Sequence, residues 1–277
     1  MPGRRGAGTA ARGRSRHSRG FALISLVVVH VTAAGRTELR IAANLAANAA
    51  AQAAADGAVY QAIFNQLDPR PDQRWPLDNS PHEIRIGDSN VALRLANEAA
   101  RINPNLASKQ LMQALLDAVA SNREEAAELA AAIAQWIGAQ KGPRPLSGID
   151  AEYRTAGLNY GPPGEPLQSI EELARVRGMS RALLAALRPH LTLFGPAVPD
   201  PEGDDPVVQL AVAEAARTSP GGGLPLLQTD SARIATARIS ATATGPGNAA
   251  ASRTAIARIG PGISRGYVLL SWETGAE

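Results

Sequence analysis

The chain has 277 residues, 45% of them apolar and only 4% aromatic, and it contains no cysteine. That length holds one large domain or two small ones, and the missing thiols exclude disulfides, thiolate zinc sites and a cysteine nucleophile. The formal charge is +3, but six arginines and no acid lie in the first twenty residues; the remainder carries 22 bases against 25 acids, which excludes a general attraction to phosphate backbones. Alanine is abundant, favours helix and fills little volume, so long, thin helical pieces are expected rather than one massive core.

Residues 1–20 form a polar tail rich in glycine and arginine. Residues 21–34 then run apolar except for Ser25, His30 and Thr32. A helix needs about 20 apolar residues to cross a bilayer, and this run is shorter. Two readings stand. Val31-Thr32-Ala33 suits the small-residue cleavage site of a secretory signal that is discarded. The downstream sequence suits a retained helix instead: from Phe21 to Asp68 there is no proline, and "RTELRIAANLAANAAAQAAADGAVYQAIFNQL" is rich in strong helix formers. Tyr60, Ile63, Phe64 and Leu67 fall at i, i+3, i+4 and i+7, one apolar face. The pattern predicts a helix over 21–68.

A basic tail ending in Gly20, followed by Phe21 opening an apolar helix, resembles the processing site of type IV pilin-like proteins. The resemblance implies that prepilin peptidase cuts between Gly20 and Phe21 on the cytoplasmic side and that the helix stays in the inner membrane. Most of that superfamily has glutamate at the fifth residue of the mature chain, where this chain has Ser25. The K-type minor pseudopilin of type II secretion characteristically lacks that glutamate.

Residues 69–81 are rich in proline and aspartate and read as a linker. In "HEIRIGDSNVALRLANEAARINPN", Ile84 and Ile86 alternate with Arg85, and Val91, Leu93 and Leu95 alternate with Ala92 and Arg94. With "GDSN" between them, this is a β-hairpin with one buried face. "ARINPNLAS", residues 100–108, is similar to the junction where the K-type pseudopilin leaves its sheet for an inserted helical domain. Residues 106–194 read as helical. Leu111, Met112, Leu115, Leu116 and Val119 make one stripe, and Leu129, Ile133, Trp136 and Ile137 a second. Ser121 to Glu124 and Ser169 to Glu172 have capping-box spacing. The block "AEYRTAGLNYGPPGEPLQSIEELARVRGMSRALLAALRPHLTLFG" resembles the family over some 45 residues. Residues 195–229 read as a loop-rich linker with a short helix near 206–217. "ARIATARISATATGPGNAAASRTAIARIG" reads as two strands around a "GPGN" turn, and residues 267–272 as a closing strand.

No catalytic constellation is present: the four histidines form no H-E-x-x-H, and neither G-x-S-x-G nor a P-loop occurs. The resemblance allows calcium in the helical domain, but Gln135 and Gly138 stand where carboxylates are expected, leaving Asp150 and Glu152 as weak metal candidates. Asp200, Glu202, Asp204 and Asp205 match no calcium-loop spacing. The "SIEELARVRGMSRALLAALRPHL" stretch also resembles a helix-hairpin-helix DNA-backbone module, with Arg175, Arg177, Arg181 and Arg188 for charge, although the acidic body opposes that reading and no nucleic acid is expected.

The order of elements resembles the K-type minor pseudopilin (general secretion pathway protein K). The expected fold is therefore α+β: a hydrophobic stem helix over 21–68, a small antiparallel sheet from 82–105 and 230–277, and an inserted all-α domain over 106–194. The resemblance implies a structural role at the tip of a periplasmic pseudopilus and single-pass anchoring in the inner membrane. It implies as partners the I- and J-type minor pseudopilins, the major pseudopilin, prepilin peptidase and membrane lipid. An exported soluble binding protein with a cleaved signal, and the DNA-backbone module, are the alternatives.

Overall fold

The computed structural model describes residues 14–120, 123–138, 153–155, 157–201, 203–218 and 234–275. Five antiparallel strands form a single sheet in which spatial order follows sequence order. They are β1 (Asp78–Ile86), β2 (Ser89–Asn97), β3 (Ala235–Thr244), β4 (Ala250–Ile259) and β5 (Tyr267–Thr274). The alternation seen in the sequence is the observed pleat: Val91, Leu93 and Leu95 point inward while Asn90, Ala92 and Arg94 are exposed. Gly87, at φ +58°, closes the β1–β2 hairpin. The "GPGN" turn closes β3–β4, with Gly247 at φ +69°. β1 starts at Asp78, inside the stretch read as a linker. Pro81 is accommodated because β1 is an edge strand, where a missing N–H removes no ladder bond.

Helix α1 (Arg14–Gln66) lies across the inner face of the sheet with its C-terminal third. It starts before residue 21, so it runs through Gly20 and Phe21 without a break. Ala51, Ala54, Ala55, Ala58, Val59, Ala62 and Ile63 are buried against Ala237, Ile239, Ala241, Ala243, Ala255 and Ala257. Alanine facing alanine lets helix and sheet approach closely. The aromatic stripe read as the apolar face is therefore not the packed face. Ile63 is buried, but Tyr60 is 47% and Phe64 79% exposed.

Between β2 and β3 lies a second hydrophobic cluster. It is built by α2 (Lys109–Val119), α3 (Arg123–Trp136), α4 (Arg181–Leu187) and α5 (Pro206–Thr218). Ser108 caps α2 and Ser180 caps α4 through their hydroxyls, at 3.1 Å from the Leu111 and Leu183 N–H groups. Ser169 and Glu172 form both halves of a capping box, but the element they start, Ile170–Arg175, is a 3₁₀ helix. The other proposed box begins at Ser121, outside the described residues. Leu111, Leu115, Leu116, Ile133, Leu173 and Leu187 are fully buried, each worth about 2–3 kcal/mol of transfer free energy. Val208, Ala211 and Ala215 of α5 join this cluster, so the helical core extends past residue 194.

Candidate interaction surface and junction

Before residue 51, α1 leaves the sheet. Residues 36–46 and 48–50 are exposed, and the helix from Arg14 to Ala50 spans roughly 55 Å at 1.5 Å per residue. Leu39, Ile41 and Leu45 are 72%, 54% and 65% exposed. Ser25 and His30 lie exposed on the same helix, and Gly20 and Phe21 fall in its first turns. Large apolar side chains facing water around a projecting helix, Leu39 on one side and Ile41 and Leu45 on the other, form a surface that gains by packing against something else. Among the described residues, no helix is long and apolar enough to cross a membrane.

The helix is pinned to the sheet by a charged contact. Arg253 of β4 is only 5% exposed. Its Nε donates to Asp56 Oδ1 at 2.5 Å and its Nη1 to Thr274 Oγ1 at 2.7 Å, while the guanidinium lies 5.2 Å from the centre of the Trp272 ring. The ion pair and cation–π contact together fix where α1 crosses β4 and β5.

A larger polar cluster joins the sheet to the helices. Glu98 follows β2 and is completely buried. Its carboxylate accepts from Arg238 Nε at 2.8 Å, Arg238 Nη2 at 2.6 Å and Thr192 Oγ1 at 2.6 Å, with Arg101 Nε at 3.8 Å. Burial pulls the Arg101 guanidinium below its ordinary value, and the Glu98 carboxylate partly opposes this. One side chain thus ties together β3, the exit from β2 and the returning segment at Thr192. Nearby, Ile102 bridges Leu191 in parallel, through N–H bonds from Ile102 to His190 O and from Thr192 to Ile102 O, both 2.9 Å.

The "INPNLAS" residues work in this junction. Asn103 is buried and its Nδ2 donates to Gly195 O at 2.9 Å and Leu193 O at 3.2 Å. Asn105 makes a two-way bond with the Leu167 backbone, at 3.0 and 2.8 Å. The motif is a pair of side-chain fasteners that hold segments 60 to 90 residues away. Sequence reading missed Glu98, Arg238, Asp56 and Arg253. Their only local signal is a charge within an otherwise apolar helix, strand or strand end, and their partners lie 140 and 197 residues away.

Two of the acids of 200–205 have structural partners. Asp200 Oδ2 accepts from Asn97 Nδ2 at 2.9 Å. Asp205 Oδ1 caps α5 at the Val207 N–H, 3.0 Å away, while its Oδ2 contacts His190 Nδ1 at 2.5 Å. Glu202, Asp150 and Glu152 lie outside the described residues. Among the described residues, no three His, Asp or Glu side chains are grouped to hold a metal. The stretch where the resemblance puts calcium ligands does not fit an acid at 138. Gly138 has φ +67°, and a Cβ there would strike the Gly164 carbonyl oxygen, so the backbone excludes any side chain. The helix-hairpin-helix arginines are also engaged in part: Arg188 pairs with Glu171 at 2.7 Å. Gly178, at φ +88°, makes the turn before Ser180.

The long helix on a five-stranded antiparallel sheet, with helices between the second and third strands, can be compared with solved structures. The chain is similar to a chain of the GspK-GspI-GspJ complex from the enterotoxigenic Escherichia coli type 2 secretion system. The TM-score is 0.57 at 18% identity, covering 88% of this chain and 99% of that one. At that identity the likeness is one of fold. No curated protein matches the chain. Residues 90–196, from β2 through the junction, match the family model described as type II secretion system (T2SS), protein K. The two findings support a minor pseudopilin of type II secretion. Within that class, it is residues 90–196 that carry the match to protein K, the K type.

Proposed function

We propose that the protein is the tip subunit of a type II secretion pseudopilus and that it initiates fibre assembly with I- and J-type minor pseudopilins. The observation that carries this reading is the protein K match over residues 90–196, which runs from β2 into the helical segment that separates β2 from β3 in a sheet packed on a long N-terminal helix. In this reading prepilin peptidase cuts between Gly20 and Phe21. The retained helix begins in inner-membrane lipid and then packs among the stems of the major pseudopilin, with the globular part in the periplasm. Local thinning, or snorkelling by Arg36 and Arg40, accommodates the short apolar run. Exposed Leu39, Ile41 and Leu45 support the packing step, since burying each side chain recovers about 2 kcal/mol.

Ser25 suits the tip. By resemblance, a carboxylate at this position neutralises the N-terminal ammonium of the subunit above. A tip subunit has none above it, and the bulk of the helical region between β2 and β3 obstructs further stacking. The role is structural rather than catalytic. The test is the N-terminal sequence of the mature protein recovered from the membrane fraction. A start at Phe21 that depends on prepilin peptidase is the expected result. A start near Ala34 in the soluble periplasm overturns the reading in favour of an exported protein with a cleaved signal.

A further inference from the structure

Just beyond its apolar run, α1 carries Arg36 and Arg40, one turn apart on the same side of the helix and both exposed. Like charges at this spacing repel each other, and an acid three or four positions from either would relieve them. None stands there: those positions hold threonine, alanine, leucine and asparagine. Glu38, the nearest acid, is two positions from each and therefore lies on the opposite side of the helix. The pair is an uncompensated double charge, which an anion seated between the two guanidinium groups would neutralise. Height along the helix selects the anion. At 1.5 Å per residue, the two Cα atoms stand roughly 22 and 28 Å from that of Phe21. A hydrocarbon core is about 30 Å thick, so with Phe21 at its inner boundary both arginines come up to its outer boundary, where lipid phosphates lie. Leu26, 66% exposed, is on the same side and roughly 15 Å nearer the N-terminus, at the depth of the acyl chains.

We infer that Arg36 and Arg40 form a binding site for an anionic phospholipid of the outer leaflet, with the phosphodiester held between the two guanidinium groups and the acyl chains running down the helix past Leu26. The phosphate oxygens accept from both forks, the geometry that arginine favours for phosphate. The lipid carries an uncharged headgroup, because an ammonium headgroup would set a third positive charge beside the pair. Cleavage between Gly20 and Phe21 removes six arginines, which leaves Arg36 and Arg40 as the first arginines of the mature chain. The lipid contact then holds the depth of the stem once the basic leader is gone. This inference rests on the membrane-anchored reading of the stem and names the lipid which that reading leaves open.

The native chain has no cysteine, so a fluorophore on Ala43→Cys, exposed one turn beyond Arg40 on the same side, reports without background. The labelled full chain is recovered from the membrane fraction and reconstituted in phosphatidylcholine vesicles. Phosphatidylglycerol or phosphatidylcholine, spin-labelled near the glycerol, is then titrated in, and quenching gives their relative affinities for the stem. Phosphatidylglycerol is expected to be preferred about tenfold. The double variant Arg36→Gln with Arg40→Gln is expected to bring the ratio to about one at an unchanged thermal midpoint, since both side chains are exposed. Glu38→Gln, on the far side of the helix, is expected to leave the preference as it is. A preference that survives the double arginine variant, or that Glu38→Gln changes as much, overturns the proposal. Loss of the preference on adding inorganic phosphate assigns the pair to a soluble phosphate and overturns the lipid. The anchored reading fails separately: a chain that starts near Ala34 and does not float with the vesicles removes that reading and this site together. A chain that starts at Phe21, floats with the vesicles and shows no preference overturns this inference alone.

Discussion

Replacing Glu98 with glutamine keeps the shape of the side chain and removes its charge, where three partners converge on a carboxylate with no exposure to solvent. The change weakens two charge-assisted bonds to Arg238 and one from Thr192, and leaves two guanidinium groups without their counter-ion. Arg238 and Arg101 keep 28% and 27% of their side-chain exposure, so water recovers part of the loss. The net cost should be about 3 kcal/mol, at the lower end of the range for breaking a buried pair. At ~2–4 °C per kcal/mol for a chain of this size, the melting midpoint falls by about 6–12 °C. The assay is thermal unfolding of the full chain, followed by circular dichroism and by fluorescence. Trp136 reports the helical core, while Trp75 and Trp272 report the sheet. Because Glu98 links the two cores, the variant should also separate the fluorescence transitions of the two regions. The double variant Glu98→Leu with Arg238→Met should return to within about 1 kcal/mol of the native chain, since an apolar pair needs no desolvation. A midpoint shift under about 2 °C, or additive losses in the double variant, refutes the reasoning.

Arg253→Lys removes the planar fork that reaches Asp56 and Thr274 at once; it should cost about 2–3 kcal/mol in urea unfolding, and adding Asp56→Asn should cost little more. Asn105→Ala breaks both bonds to Leu167 and should destabilise by about 1–2 kcal/mol, read as an earlier Trp136 transition. The hydrogen bond from the Ser169 hydroxyl, more than the Arg188 charge, holds the Glu171 carboxyl below its ordinary value. A depressed folded value contributes stability that is present above the unfolded glutamate value and lost as pH falls through the folded one. The difference between the native chain and Ser169→Ala should therefore shrink as pH drops below about 4, and this pH-dependent part should stay under 1 kcal/mol because Glu171 is largely exposed, the lost cap remaining at every pH. A difference that grows toward acid pH contradicts the assignment.

Local chemistry was legible wherever partners are close in sequence. The period-two runs of β2, β3 and β4 place their side chains as the pleat demands, and the Ser169–Glu172 box caps the turn it precedes. Less legible was which face of α1 packs. Hydrophobicity favoured Tyr60 and Phe64, but the sheet opposite the helix is paved with alanine, and only small residues allow that approach. The strand at Asp78 was hidden by prolines that an edge tolerates.

The sequence alone determined the element order, the turns and the capping-box start at Ser169, because each depends on residues within a few positions of one another. The tertiary structure decided the rest. Glu98 meets Arg238, and Asp56 meets Arg253, only after 140 and 197 residues of chain have folded back. Whether a charge is buried and paired, or solvated and idle, depends on dielectric surroundings that distant segments create. For the same reason the sequence showed β5 only as a closing strand. The order of the sheet made it an edge, with an aromatic patch from the far end of α1 at its side.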